Sequence, residues 1–328
     1  MNNEMSNPAI SDFTRNLTEE AEAGLLEMPL GRDKEIEAIL KIVSTQGKSN
    51  VLLLGPPGCG KTTLAEGVAC KLIELASRNQ SPSRNKLIQL NLTALNSGAT
   101  YVGQFEERVT KFLNYVKKDP SIIVFIDEIH MVMGFGATSD SRASRDFSQI
   151  LKPALASGEM CCIGATTTHE YERDIKPDGA FARRFQTINL MPLNEHTIAE
   201  IIKRHALKNK YNYGVEFSDQ TIQSIISISE ILKPNGYQPD KSIDVIREVT
   251  RRIQSTEKEK SSMNRRRTIN AYIDVVRHEI KAVERNDSSS LISYAKDWLG
   301  VSAPKSSLID LNTDSLRELL QSGTTLKK

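Results

Sequence analysis

The stretch Gly55-Pro56-Pro57-Gly58-Cys59-Gly60-Lys61-Thr62 decides the fold of this 328-residue chain. It follows the GxxxxGK[ST] pattern and lies between an apolar run, Asn50–Leu54, and a helical pattern from Lys61 to Ala76. That strand–loop–helix context distinguishes a true phosphate loop (Walker A) from a chance match. The glycines let backbone N–H groups turn toward phosphate oxygens, and the following helix points its positive end at the same place. The sequence therefore predicts a nucleotide site here.

The predicted nucleotide-binding residues comprise this loop and the start of the helix after it. Lys61 supplies a positive charge to the β- and γ-phosphates, and Thr62 offers a hydroxyl to Mg²⁺. The pattern thus implies ATP and Mg²⁺ as cofactors. The residues assigned to the nucleotide are Gly55, Pro56, Pro57, Gly58, Cys59, Gly60, Lys61, Thr62 and Thr63.

A second motif (Walker B) follows the apolar run Ile122–Ile126, which ends in Asp127-Glu128. Adjacent acids at the end of a buried strand are costly unless a cation or ligand offsets their charge. In phosphate-loop enzymes the first carboxylate lies near Mg²⁺, and a further group orients the attacking water. We therefore assign Thr62 and Asp127 to the metal, and ATP hydrolysis, as opposed to binding alone, rests on Glu128. A turn with two solvated acids is the alternative.

The order of the remaining segments indicates the fold class. Alternating strands and helices predict an α/β fold, with a parallel sheet between helices, and a small helical domain follows from about Pro192. The predicted strands outside the loop motif are Leu87–Leu92, Ile122–Ile126 and Met160–Thr166. The predicted helices are Phe105–Lys118, Ser144–Ala156, Asn194–Asn209, Ser218–Leu232, Asp240–Thr256 and Ile269–Val283.

Composition excludes several classes of protein. Lys plus Arg number 43 and Asp plus Glu 41, so the net charge of +2 provides no global basic field for nucleic acid. No apolar run reaches membrane-spanning length, and the polar N-terminus does not resemble a signal peptide. The four cysteines form no CxxC pair, which favours reduced, structural thiols. We expect a cytoplasmic protein without a membrane partner.

From Phe13 to about Val276 the chain resembles the first ATPase ring of Clp-type AAA+ unfoldases and chaperones. The resemblance rests on ordered motifs in addition to the phosphate loop. These are Leu17-Thr18-Glu19-Glu20-Ala21, Gly31-Arg32-Asp33-Lys34-Glu35-Ile36, Gly103-Gln104-Phe105-Glu106-Glu107-Arg108, Phe125-Ile126-Asp127-Glu128-Ile129-His130, Leu151-Lys152-Pro153-Ala154-Leu155, Gly164-Ala165-Thr166-Thr167 and Arg183-Arg184-Phe185.

The resemblance implies roles for residues outside the two nucleotide motifs. Thr167 falls at the sensor-1 position, which reads the γ-phosphate, and Arg183 and Arg184 fall where the family presents arginine fingers to the neighbouring subunit. Fingers supplied by a neighbour imply a homo-oligomer, with a hexameric ring as the expected form. Leu30 and Ile36 are expected to line the adenine pocket, and Lys241 is a further candidate nucleotide contact.

The resemblance also predicts contact with a protein substrate. Tyr101, Val102 and Gly103 lie where Clp rings place the pore loop that grips a polypeptide, and 134–137 lies in the second pore-loop region. The family usually has basic residues beside the tyrosine, whereas this chain has Thr100 and Val102. An aromatic grip remains, but a preference for acidic or extended substrates is in doubt.

The expected domain organisation follows the same family. Residues 1–30 form an N-terminal tail and linker, 31–192 the large α/β ATPase subdomain, 193–285 the helical lid, and 286–328 an extension that resembles an inter-ring linker. We identify no N-domain, no coiled-coil insert and no second phosphate loop. Since the family's peptidase-docking loop belongs to the second ring, no peptidase docking is predicted.

The leading hypothesis is an ATP-hydrolysing ring motor that remodels, unfolds or disassembles proteins. One alternative is an ATP-dependent switch or assembly scaffold that works without threading. A DNA-linked AAA+ regulator is the other, and it would use the basic cluster Arg265-Arg266-Arg267. The low net charge and the Clp-like pore-loop spacing count against a nucleic-acid partner.

Overall fold

The computed structural model describes residues 9–45, 49–80, 82–97, 102–133, 147–215, 217–232 and 236–256. The chain divides into two compact units after Met191. The first unit holds a six-stranded sheet in the order β1-β3-β4-β5-β2-β6. Its strands are β1 (Thr14–Asn16), β2 (Asn50–Leu54), β3 (Lys86–Leu90), β4 (Ile122–Ile126), β5 (Cys161–Thr166) and β6 (Phe185–Asn189).

The sheet is parallel except at one edge, which confirms the predicted fold class. β2 pairs in parallel with both β5 and β6, and β4 pairs in parallel with β3 and β5. β1 pairs with β3 in the antiparallel direction. Every residue of β2, β4 and β5 is buried, because these central strands have helices on both faces.

The three helices predicted in the first unit, Lys61–Ala76, Phe105–Lys118 and Ser144–Ala156, lie close to the observed α3 (Lys61–Ser77), α5 (Val102–Lys118) and α6 (Phe147–Ser157). α6 contains Pro153, and α5 is strongly amphipathic, with Phe105, Val109 and Phe112 facing the core. The helices are α1 (Leu17–Glu22), α2 (Asp33–Val43), α3 (Lys61–Ser77), α4 (Leu92–Asn96), α5 (Val102–Lys118), α6 (Phe147–Ser157), α7 (Thr168–Glu170) and α8 (Gly179–Ala182). Short helical turns also span Ile10–Asp12, Ile129–Val132 and Tyr171–Ile175.

Two apolar clusters fill the first unit. One contains α5 and α6 residues, and the other contains α2 and α3 residues. Gly164 in β5 is needed for close packing, because a Cβ there would come 2.7 Å from Cδ1 of Ile129 and 3.1 Å from Cδ1 of Leu52. The turn that carries Glu128 is thereby held tightly against β5.

The second unit contains three described helices, α9 (Glu195–Tyr213), α10 (Asp219–Leu232) and α11 (Asp240–Thr256). Their buried face includes Ile202, Ile225 and Ile246. A polar network crosses it: the hydroxyls of Ser229 and Ser242 lie 2.8 Å apart, and Gln238 bonds both of them. The predicted helix Ile269–Val283 and residues 286–328 lie outside the described residues.

The tail predicted for residues 1–30 is wrong for much of the segment. Phe13 and Leu17 are buried, Thr14–Asn16 form a sheet strand, and Leu17–Glu22 pack as a helix. The strand Phe185–Asn189 was not predicted, and only Phe185 in it is buried. The predicted strand Leu87–Leu92 instead ends at Leu90, because Asn91 caps α4 through its side chain.

All four cysteines lie in the first unit. All four thiols are free, and burial raises the pKa of Cys161 to about 11. Among the described helices, none combines the length and the apolar composition that a bilayer crossing requires.

Candidate active site

The phosphate loop joins the end of β2 to the start of α3. Gly58 and Gly60 have φ angles of 75° and 92°, in the left-handed region that glycine adopts without steric cost. Gly60 precedes the first residue of α3, so no capping side chain covers the start of that helix, where backbone N–H groups commonly meet an anion. The loop therefore has the backbone form that a bound phosphate requires.

Lys61 places its ammonium group within this loop. Lys61 is only 6% exposed. Its Nζ donates to the carbonyl oxygens of Gly55 (3.0 Å) and Pro56 (3.1 Å). Two carbonyls satisfy two of its three donors without neutralising its charge. The positive charge at this point is available to a phosphate group.

Thr62 and Asp127 come together although 65 positions separate them. The Thr62 hydroxyl donates to Oδ2 of Asp127 at 2.5 Å, and Oδ1 of Asp127 accepts the backbone N–H of Glu128 at 3.0 Å. A hydroxyl and a carboxylate are hard oxygen donors of the type that Mg²⁺ prefers. This donor set fits the metal predicted from the sequence.

Glu128 has a strained backbone and a perturbed carboxyl group. Its φ of 49° and ψ of 46° lie in the left-handed region, which non-glycine residues seldom adopt. Partial burial raises its pKa, and repulsion from Glu170 and Asp127 raises it further. A raised pKa makes a carboxylate a better proton acceptor, and the side chain is 48% exposed, so water reaches it.

Thr167 follows β5 at the same edge of the sheet. Its hydroxyl donates to Oε2 of Glu170 at 2.8 Å and accepts the Glu170 backbone N–H at 3.2 Å. The backbone N–H of Gly55 also donates to the carbonyl of Thr166 at 3.3 Å. The carboxyl ends of β2, β5 and β4 therefore bring the phosphate loop, Thr167 and Asp127-Glu128 to one crevice, as parallel sheets commonly do.

Arg183 and Arg184 lie at the opposite end of the strands, where the parallel strands begin. They immediately precede β6, whose first residue, Phe185, pairs with Asn50 at the start of β2. The phosphate loop begins at Gly55, which is five residues after Asn50 and so six positions from the level of Arg184, about 20 Å away at ~3.3 Å per residue. No arginine side chain spans that distance. Neither guanidinium has a partner among the described residues.

The residues predicted to contact adenine have different environments. Leu30 is half-buried, whereas Ile36 is 1% exposed and packs in the core with α3. Ile36 therefore supports the wall of a pocket more than it presents a free surface. In the second unit, Lys241 is buried and forms an ion pair with Glu230.

Part of the predicted pore loop lies outside the described residues, as do 134–137 and 265–267. Tyr101 falls there, while Val102 and Gly103 are the first residues of α5.

Arg32 is a site residue that the sequence analysis missed. It is 4% exposed, and its guanidinium donates to the carbonyl of Cys59 in the phosphate loop (3.2 Å), to Glu35 (2.8 Å) and to the carbonyl of Met191 (2.9 Å). One planar fork thereby fixes the loop, α2 and the last residue of the first unit. Its partners are mainly backbone atoms far away in sequence, so no motif revealed them.

We expect Arg32→Ala to weaken ATP binding about 10-fold to 100-fold, because the loop loses a fixed support. Arg32→Lys keeps the charge but not the fork, and should recover only part of the affinity. Titration with a fluorescent ATP analogue measures this, with thermal denaturation in parallel. Arg78→Ala is the control, since Arg78 is 63% exposed and pairs with Glu74 on the surface. Wild-type affinity in both Arg32 variants would contradict the assignment.

The site has the parts of a phosphate-loop ATPase, and comparison with known proteins identifies the family. Residues 51–193 match the ATPase family associated with various cellular activities (AAA), and 194–297 match the AAA lid domain. The chain belongs to the AAA family of ATPases.

Its relatives are Clp-type chaperones. The chain is 38% identical to chaperone protein ClpB 1 of Synechocystis over 77% of its own length and 28% of the relative. It is 34% identical to ClpB of Agrobacterium fabrum, over 100% of this chain and 37% of that protein. It is 35% identical to the ATP-dependent Clp protease ATP-binding subunit ClpC of Staphylococcus epidermidis, over 85% of this chain and 33% of that protein. The chain thus spans about a third of the length of these relatives.

Solved structures give the same result. The chain resembles the S. cerevisiae Hsp104–ADP complex with a TM-score of 0.69 and 28% identity, covering 89% of this chain and 52% of that one. It also resembles the S. cerevisiae Hsp104:casein complex with a TM-score of 0.67 and 28% identity. That match covers 94% of this chain and 52% of the Hsp104 chain.

Proposed function

We propose that this chain is the ATP-hydrolysing subunit of a ring that remodels, unfolds or disassembles protein substrates. The observation that carries the proposal is the placement of Arg183 and Arg184 about 20 Å along the sheet from the subunit's own phosphate loop. Unpaired guanidinium groups at that edge suit the nucleotide of an adjoining copy. A homo-oligomer follows, and its proposed form is a hexameric ring in the cytoplasm.

The residues of the crevice divide the chemistry of phosphoryl transfer to water. Lys61 binds the phosphate oxygens, Glu128 accepts a proton from the attacking water, and Thr167 holds the γ-phosphate side of the crevice. Thr62 and Asp127 would hold Mg²⁺, which offsets phosphate charge when it is bound. Arg184 of a neighbouring copy, with Arg183 beside it, stabilises the charge on the transferring group. Leu30 and Lys241 are further proposed nucleotide contacts.

The domain assignment and the substrate contact are part of the same proposal. Residues 31–192 form the large subdomain and 193–285 the lid, with family matches over 51–193 and 194–297 in support. Tyr101, Val102 and Gly103 line the pore. A tyrosine packs on many side chains without requiring a sequence, which suits a grip on diverse polypeptides.

Tyr101→Ala tests the pore grip. We expect ATP turnover to persist while unfolding of a fluorescent protein with an unstructured terminal segment falls to a small fraction of the wild-type rate. Tyr115→Ala, in the helix that begins at Val102 and 40% exposed, is the matched control and should unfold the substrate normally. Undiminished unfolding by Tyr101→Ala would remove the grip. ATP-dependent partner release without loss of partner structure, read by hydrogen exchange, would favour the switch or scaffold.

A further inference from the structure

The carboxylate of Glu170 lies between the sensor threonine and the glutamate proposed as the proton acceptor. Its Oε2 accepts three hydrogen bonds: from the Thr167 backbone N–H (3.1 Å), the Thr167 hydroxyl (2.8 Å) and the Thr166 hydroxyl (3.1 Å). Burial alone would raise the pKa of Glu170, but these bonds outweigh it and lower the pKa. The group is therefore a carboxylate that holds two hydroxyls at once.

His130 connects this group to Glu128. Its Nδ1 lies 3.1 Å from the Thr166 hydroxyl oxygen, 3.3 Å from Oε2 of Glu170 and 3.4 Å from Oε2 of Glu128. With its one proton donated to Glu170, the Thr166 hydroxyl accepts from His130, which assigns the hydrogen of this contact to Nδ1. One N–H group thus faces acceptors from both sides of the crevice.

We propose that Glu170 is a positioning residue, which sets Thr167 and Glu128 relative to one another through the Thr167 hydroxyl and His130. This inference rests on the roles proposed above for Thr167 and Glu128. It concerns the coupling between them, which those roles do not include. The structural basis is a continuous chain of polar contacts from the end of β5 to the end of β4.

Proton counting gives the coupling a direction. The single hydroxyl proton of Thr167 is directed at Glu170, so Thr167 can donate to a γ-phosphate or to water only by exchanging that partner. Glu170 then loses one of its hydroxyl donors, and the His130 N–H becomes its nearest replacement. A stronger bond from His130 to Glu170 weakens the contact of the same N–H with Glu128. A change at Thr167 is thereby passed to Glu128.

The test compares Glu170→Ala, Glu170→Gln and a matched control, Glu172→Ala. Glu172 lies two residues away, is 51% exposed and pairs with Lys176 on the surface. We expect Glu170→Ala to lower kcat about 10-fold to 100-fold, with less than about a twofold change in ATP affinity and a Tm that falls by only a few degrees, because the buried Thr166 hydroxyl loses its acceptor. Glu170→Gln keeps an accepting oxygen and should recover part of kcat. Glu172→Ala should match the wild type.

A double-mutant cycle with Thr167→Val tests the route through the hydroxyl. If Glu170 acts through Thr167, the loss caused by Glu170→Ala should be much smaller in the Thr167→Val background. Additive losses would overturn the proposed coupling. A fall in ATP affinity or Tm that accounts for the whole loss of rate would show a structural role and also overturn it.

Glu128→Gln, assayed beside these variants, distinguishes failure of the proposed hydrolysis chemistry from failure of the positioning role of Glu170. Full turnover by Glu128→Gln would overturn the proposed chemistry and this inference with it. An inactive Glu128→Gln together with wild-type kcat in Glu170→Ala would overturn only the role of Glu170.

Discussion

Glu128→Gln should bind ATP as the wild type does and hydrolyse it about 10²-fold to 10⁴-fold more slowly, the usual contribution of a general base. The amide has nearly the shape of the carboxylate, so the left-handed turn at Glu128 and the neighbouring Asp127 remain in place. The amide cannot accept the proton of the attacking water. Single-turnover measurement of phosphate release gives the rate, and equilibrium titration with a fluorescent ATP analogue gives the affinity.

Glu159→Gln is the control for this change, because Glu159 is a surface residue paired with Lys117 and lies just before the start of β5, at the end of that strand away from the crevice. It should hydrolyse ATP at the wild-type rate. Turnover by Glu128→Gln within a few-fold of the wild type would exclude Glu128 as the proton acceptor and shift attention to another group in the crevice.

Arg184→Ala should lower ATP turnover about 10³-fold to 10⁵-fold, the range that finger arginines contribute. Mixing with Lys61→Ala reveals whether the finger acts between copies. Lys61→Ala subunits lack a functional phosphate loop but present an intact finger, and Arg184→Ala subunits have the reverse combination. A mixture of the two variants should therefore recover measurable ATPase activity that neither variant has alone. Mixing Arg183→Ala with Lys61→Ala tests the second guanidinium in the same way.

Arg173→Ala is the matched control, since Arg173 is 59% exposed and pairs with the adjacent Asp174. It should neither slow the enzyme nor complement another variant. If Arg184→Ala turns over ATP at the wild-type rate, or if mixing recovers nothing, the arginine acts within its own subunit or not at all, and the case for the ring fails.

The central strands and the nucleotide motifs were predictable from sequence for a common physical reason. β2 and β4 are buried on both faces, so their residues form uninterrupted apolar runs, and each ends directly in a motif with strict residue requirements. β1 has three residues and β6 buries only Phe185, so neither produces a recognisable pattern. The polar composition of 1–30 likewise concealed two anchors, Phe13 and Leu17.

Contacts that depend on strand register were not predictable. Arg32 is nearly fully buried, which is unusual for arginine, because carbonyls of two distant segments and one carboxylate satisfy it. The approach of His130 to Glu170 requires β4 and β5 to be adjacent and aligned, with Gly164 allowing Ile129 to pack closely. Neither the pairing nor its alignment can be derived from one sequence.

The buried sheet has a mechanical consequence for a circular assembly. The proposed ATP-binding crevice lies at one end of the β2–β6 strand pair, and Arg183 and Arg184 lie at the other end. The buried sheet between these two ends is too tightly packed to stretch. In the proposed ring, a tilt of one protomer would shift both of its borders together, so that widening at one border would accompany a change at the next. ATP hydrolysis in one subunit would then affect the next subunit through movement of the rigid sheet, without any signal passing along flexible loops.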